Sequence, residues 1–102
     1  SRCGFTDGTF IRARVEEIGA RLCNHCYTSP ITVAACLHWL STCRDAFIFE
    51  DCVDDSPMRH ELTLEKFQAG ADGFITVPDG PGLGLTLNED FVKKYLVAES
   101  GK

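Results

Sequence analysis

The strongest constraint on this chain is the order in which its periodicities change. A helical stretch, a short apolar run, a second helical stretch and a second short apolar run follow one another. From Phe10 to Leu22 the residues Phe10, Ile11, Val15, Ile18, Ala20 and Leu22 recur at mixed spacings of three and four, which predicts an amphipathic helix. Thr6, Asp7 or Thr9 is placed to cap its start, and Gly19 lowers helix propensity near its end. Arg21 to Asn24 reads as a short strand ending at His25. Ser29-Pro30 then opens a second helix, with serine as N-cap and proline in the first turn. Ile31 to Cys43 is so apolar that this helix must be largely buried or packed on a sheet. The run Ala46-Phe47-Ile48-Phe49, bounded by Asp45 and Glu50, fits a short buried strand. Helix alternating with strand predicts an α/β fold with a parallel sheet.

The text changes after Glu50. Asp51 to His60 is polar and contains Pro57. Glu61 to Val77 holds candidate short strands, of which Gly73-Phe74-Ile75-Thr76-Val77 is the clearest. Pro78-Asp79-Gly80-Pro81-Gly82-Leu83-Gly84 is a turn segment, suited to a tight backbone approach because proline fixes φ and glycine admits positive φ. Asn88-Glu89-Asp90 caps a final helix over Phe91 to Leu96. Two or three parallel strands do not complete an α/β domain, since such sheets need both faces covered and both edges paired. The chain therefore reads as part of a larger core. Its first residue, Ser1 rather than Met, fits a processed chain or a piece of a longer one.

A net charge of −5 and no basic stripe argue against a nucleic-acid partner. No apolar run reaches the roughly 18–20 residues of a membrane span. No signal-peptide pattern opens the chain, and cytoplasm is the expected compartment. The six cysteines are Cys3, Cys23, Cys26, Cys36, Cys43 and Cys52. Without a secretory context they do not argue for a disulfide framework. Cys36 and Cys43 read as small core residues. Cys23-Asn-His-Cys26 has the form of half a zinc site, without the second ligand pair that a ribbon or finger needs. Asp51, Asp54 and Asp55 lack the glycine and distant glutamate of an EF-hand loop. Pro81-Gly82-Leu83-Gly84 lacks the Lys-Ser/Thr of a phosphate loop.

Four stretches in order resemble the C-terminal barrel domain of the enolase superfamily, of the mandelate racemase and muconate lactonizing enzyme type. Ser1-Arg2-Cys3-Gly4-Phe5-Thr6 resembles the turn after the sixth barrel strand, although the family usually has a glycine pair where this chain has Gly4-Phe5. Asn24-His25 resembles the end of the seventh strand and Phe47-Ile48-Phe49-Glu50 the eighth. Asp72 to Pro78, running into Pro81-Gly82-Leu83-Gly84, resembles the tail that leaves the barrel for the capping domain. The resemblance implies the C-terminal part of a modified (β/α)7β TIM-type barrel. Residues 1–56 would form the last βα units, and residues 57–102 a return segment packed on the barrel and capping domain.

In a βα barrel the reactive groups stand at the C-terminal strand ends. His25 and Glu50 end candidate strands one helix apart, and adjacent strands lie about 4.8 Å apart, so both side chains can face one cavity. Histidine titrates near neutral pH and can take or deliver a proton. Without the family, a histidine closing a strand is a packing or surface residue, and Glu50 simply begins a solvated turn. His38 in the apolar helix reads as structural, and His60 as exposed.

The resemblance implies that His25 is a general base or acid removing the proton next to a carboxylate. It gives Glu50 a hydrogen bond to the substrate carboxylate or enediolate, for which Glu50 would need to be protonated. It also implies Mg2+ in the full-length parent, held by carboxylates on the third to fifth strands, so that no metal ligand lies in this chain. The aspartate partner of His25 would fall just before Ser1. The expected partners are a carboxylate small molecule, in particular an acid sugar, and the missing N-terminal part of the enzyme, with a homo-oligomeric parent. Dehydration is expected ahead of racemisation, and the isolated chain is expected to be inactive. Two other readings stand beside this one: a non-catalytic interaction module covered by a partner chain, and a zinc module built on Cys23 and Cys26.

Overall fold

The computed structural model describes residues 3–98. Ser1 and Arg2, which belong to the first stretch of the resemblance, lie outside them, as do the last four residues. Six elements run in the order α1 (Phe5–Glu17), β1 (Leu22–Cys23), α2 (Pro30–Ser41), β2 (Ala46–Ile48), α3 (Pro57–Glu61) and α4 (Glu89–Tyr95). β1 and β2 pair in parallel, so the predicted α/β alternation is present. No helix among the described residues is long and apolar enough to cross a membrane.

Helix α1 starts and stops earlier than its apolar spacing predicts. Gly4 occupies the N-cap without a side-chain bond, and Thr6, Asp7 and Thr9 lie inside the helix, where Thr9 Oγ1 donates to Phe5 O. The early stop has a clear cause. Gly19 takes φ +68°, its N–H bonds Glu16 O, and the N–H of Ala20 bonds Val15 O. This is the paired closure of a helix terminated by a left-handed residue. Gly19 is thus the stop signal itself.

The short strands meet with Leu22 opposite Ala46 and Cys23 opposite Ile48, which leaves Phe47 as an extra residue. Such a bulge adds twist and re-aims the chain beyond it. The Arg21 guanidinium lies 4.7 Å from the Phe47 ring centroid, a cation–π arrangement. The expected burial of the second strand is not met: all of β2 is exposed, Phe47 by 61% and Ile48 by 58%. A strand with one neighbour and no second layer across its faces keeps its apolar side chains in water.

Helix α2 holds the core. Ser29 caps it by accepting from the Thr32 N–H, and Pro30 stands in the first turn as the sequence predicts. Val33, Ala34, Leu37 and Leu40 are buried at helical spacing. Each such aliphatic side chain contributes roughly 1.5–3 kcal/mol when fully buried. Val33 and Leu37 cluster with Cys26, and Phe49, Phe67, Ile75 and Val77 pack against them.

The C-terminal segment supplies Phe67, Ile75 and Val77 to that cluster without forming the predicted strand. Residues 74–79 belong to no helix or ladder among the described residues. Their alternation is nevertheless that of a strand, with Ile75 and Val77 inward and Phe74 76% exposed. A turn precedes them, in which Gly73 N–H bonds Gly70 O and Asp72 Oδ1 accepts from Phe74 N–H. α3 was not foreseen in the polar stretch, although Ser56-Pro57 repeats the start signal of α2. The Arg59 side chain is buried and pairs with Asp51. An isolated antiparallel bridge joins Thr63 and Leu87. α4 begins at Glu89, ahead of the predicted Phe91, with Asn88 Oδ1 accepting from Phe91 N–H.

His38 is structural, as read: its Nε2 donates to Leu83 O at 3.2 Å and ties α2 to the turn segment. In that turn Gly84 takes φ +67°, and a Cβ there would lie 2.5 Å from Pro78 Cβ and 3.1 Å from Gly80 N. Two stretches of backbone meet where no larger residue fits.

Candidate functional site

Both strands run on into polar residues, Asn24-His25 after β1 and Glu50 two residues beyond β2. Asn24 is buried and bonds the Glu50 backbone in both directions. Its Nδ2 donates to Glu50 O at 2.9 Å, and its Oδ1 accepts from Glu50 N–H at 2.7 Å. A side-chain amide carries both a donor and an acceptor, so one asparagine can extend a strand pairing past the end of its ladder. This fixes the main chain of Glu50 beside that of His25.

The side chains then converge. His25 Nδ1 lies 3.2 Å from Glu50 Oε2, and the Tyr27 hydroxyl donates to Glu50 Oε1 at 2.9 Å. The imidazole and phenol rings meet edge to face, with centroids 4.7 Å apart at 68°. The carboxylate thus meets the imidazole at Nδ1. The Glu50 hydrogen bond and charge push the Tyr27 phenol above its ordinary value, so it stays a donor through neutral pH. The His25 side chain is 66% exposed, and exposed ion pairs contribute at most about 1 kcal/mol to stability. Stability alone does not account for three polar side chains gathered on one strand end.

The pattern of alternation extends through this turn. Asn24 and Cys26 are buried, while His25 and Tyr27 are exposed. Residues i and i+2 of an extended chain share a face, so Tyr27 was findable from the sequence once His25 was placed. Asn24 was read only as the residue before His25. Nothing in the sequence announces its double bond to Glu50, because the register of β2 decides which backbone groups it meets.

An open cavity of about 600 Å³ adjoins the site. Its walls include Leu22, Ile31, Ala35 and Trp39, with Asn24 and His25 among the polar lining groups. The two cysteines of the zinc reading part company. Cys23 is exposed and its thiol lies 3.4 Å from Asn24 O, whereas Cys26 is buried in the core cluster. A hydrogen bond with Cys36, then burial, pushes the Cys26 thiol far above its usual range, so it stays protonated and inert. Among the described residues no three His, Cys, Asp or Glu side chains are grouped to hold a metal ion. His60 lies 3.2 Å from Asp55 and Asp51 pairs with Arg59, so the acidic stretch is engaged in local ion pairs.

A family profile described as "Enolase C-terminal domain-like" matches residues 1–91. A D-galactonate dehydratase from Xanthomonas campestris is 30% identical over 97 residues, covering 89% of this chain and 25% of the relative. A D-galactarolactone cycloisomerase from Agrobacterium fabrum is 24% identical over 100 residues, 90% of this chain and 26% of the relative. The fold matches a crystal structure described as a predicted mandelate racemase from Rhodobacter sphaeroides, with TM-score 0.80 and 24% identity over 97% of this chain and 25% of that one. The chain spans about a quarter of the length of the curated relatives it matches.

Proposed function

This chain belongs to the enolase C-terminal domain-like family, and on that premise we propose that it is the closing part of an enzyme that removes the proton next to a substrate carboxylate. The observation that carries the reading is the meeting of His25 and Glu50 at the ends of paired parallel strands. Acid sugars are the proposed substrate class and dehydration the proposed reaction, supported by the 30% identical relative named D-galactonate dehydratase.

His25 acts as the base. The α C–H bond breaks, its proton goes to imidazole Nε2, and the electron pair passes into the carboxylate as an enediolate. In dehydration the neighbouring C–O bond then breaks, the hydroxyl leaves as water with the proton held on His25 Nε2, and the resulting enol tautomerises to a 2-keto acid by moving its O–H proton to carbon. A positioned base supplies about 100- to 10,000-fold of such a rate. In its ionised form Glu50 would accept from Nδ1–H and keep the basic lone pair on Nε2. An aspartate just before Ser1 is proposed as the further partner of His25. In its acid form Glu50 would donate to the substrate carboxylate.

Magnesium, which the family resemblance implies, supplies positive charge opposite an enediolate when bound. Its ligands are proposed to be carboxylates on earlier strands of the full-length enzyme. Residues 1–56 are proposed as the last βα units and residues 57–102 as the return segment to a capping domain. The exposed apolar side chains of β2 support a covering layer supplied by the rest of the enzyme. They equally suit cover by a separate chain, as a non-catalytic module would need.

The test takes the protein at its full coding length, with magnesium chloride and a panel of acid sugars in D2O. NMR follows exchange of the α-proton and the appearance of 2-keto acid. His25→Asn is expected to lower the rate about 100- to 10,000-fold. Absence of α-proton exchange with every acid sugar overturns the reading and favours the module.

A further inference from the structure

We infer that Asn24 is a positioning residue for Glu50 and acts through the main chain of the glutamate. The assignment rests on the proposed reaction, in which Glu50 meets the substrate carboxylate. The Asn24 amide donates from Nδ2 to Glu50 O at 2.9 Å and accepts at Oδ1 from the Glu50 N–H at 2.7 Å.

The strand pairing alone does not hold Glu50. The last ladder pair is Cys23 with Ile48, and Glu50 lies two residues beyond it. The register shifts within this short ladder, and β2 is exposed along its whole length. Neither regular pairing nor packing therefore carries over to the glutamate. A continuing partner strand would offer Glu50 a main-chain donor and a main-chain acceptor. Asn24 offers both from one side chain and stands in for the strand that has ended.

The clamp has one orientation. Turning the amide over would set donor against donor and acceptor against acceptor. Asn24 is 5% exposed, and a polar group left unpaired in such a place is costly. Two residues on, Cys26 is anchored in the core cluster, so the clamp stands on a fixed support, as a precisely placed site requires. The result is a glutamate with a pinned main chain and a side chain that remains 35% exposed at the strand end. Without the amide, the Glu50 N–H and C=O lose these partners and the strand end can shift. A displacement of about 1 Å in a reacting group can cost about 100-fold in rate.

The test compares Asn24→Ala and Asn24→Asp with the parent at full coding length. Aspartate keeps an acceptor for the Glu50 N–H and lacks the donor to Glu50 O. Amide hydrogen exchange is read at Glu50 and, as a control for the fold, at Val33 and Leu37 in α2. Exchange at Glu50 is expected to be protected in the parent and faster in both variants, with α2 unchanged. With an acid sugar that the parent turns over, kcat/KM should fall by about 10- to 100-fold in Asn24→Ala, and by less in Asn24→Asp. Unprotected exchange of the parent Glu50 amide overturns the inference. So does a loss of protection that includes α2, an unfolded variant among such cases, because Asn24 then serves the fold as a whole. Faster exchange at Glu50 with unchanged turnover overturns it too. If the parent turns over no acid sugar, the proposed reaction falls and takes this assignment with it, whereas an active parent with any of the preceding results overturns the assignment alone.

Discussion

Helices α1 and α2 are nearly equal in length, at 13 and 12 residues, yet they live in different surroundings. α2 buries Pro30, Val33, Ala34, Leu37 and Leu40, and receives Phe67, Ile75 and Val77 from the C-terminal segment on its core cluster. α1 buries Gly8 alone, beside the Trp39 indole, and leaves Phe5, Phe10, Ile11 and Ile18 exposed. Both helices carry apolar faces, so propensity does not separate them. The difference is that the apolar surface matching α2 is encoded later in this chain, while α1 is tied to the chain mainly by polar contacts, Arg12 to Thr42 O and Glu16 to the Arg44 N–H, with Gly8 against Trp39. A helix is held in place by tertiary packing more than by its own hydrogen bonds.

The largest expected effect tests that contrast directly. Leu37→Ala should cost about 2–5 kcal/mol, because it empties space at the centre of the core cluster. Phe10→Ala in the 102-residue chain should change stability by no more than about 0.5 kcal/mol. Should the proposed longer enzyme cover α1, the same change would there cost about 3–5 kcal/mol. Urea unfolding of the two variants in both settings measures this. Equal costs for Leu37→Ala and Phe10→Ala in the short chain would break the comparison.

A second test asks how firmly the turn segment is seated on the α2 side. Gly84→Ala forces a side chain onto φ +67° and against Pro78. It should cost about 1–3 kcal/mol from the backbone alone. The melting temperature reports the cost, and an unchanged value would mean that the turn is not part of the packed half.

The smallest effect concerns pH. Glu65 Oε2 accepts from the Thr86 N–H at 2.8 Å, and this bond holds the carboxyl below its ordinary value of 4.5. A carboxyl depressed on folding adds stability that is complete above its unfolded pKa and is lost as pH falls through the folded value. Glu65→Gln should therefore lower stability slightly at pH 7 and flatten the dependence below about 4.5, with no difference from the parent at the acid end. Parallel acid unfolding curves for variant and parent would exclude this contribution.

The same contrast separates what the sequence disclosed from what it hid. The α/β order, the Ser29-Pro30 start of α2, the tie of His38 and the close approach at Gly84 were legible because each rests on local chemistry: a cap, a fixed φ, a missing Cβ. The approach of His25 to Glu50 was legible from the two strand ends. The boundaries of α1 were misread because Gly19 was weighed as a propensity loss rather than as a left-handed stop. The exposure of β2 and the missing ladder at residues 73–77 depend on which partner strands exist, and no local pattern encodes that. Tyr27 lay in plain view at i+2 from His25, whereas the role of Asn24 required the register of the pair.

The contacts that build the strand-end site have a further consequence for how it comes into being. Every hydrogen bond among Asn24, His25, Tyr27 and Glu50 joins positions only 23 to 26 residues apart. The entropy of closing a loop grows slowly with its length, so one strand–helix–strand unit is enough to draw these side chains together. The corner is in that sense a local construction: imidazole, phenol and carboxylate all belong to one strand–helix–strand unit.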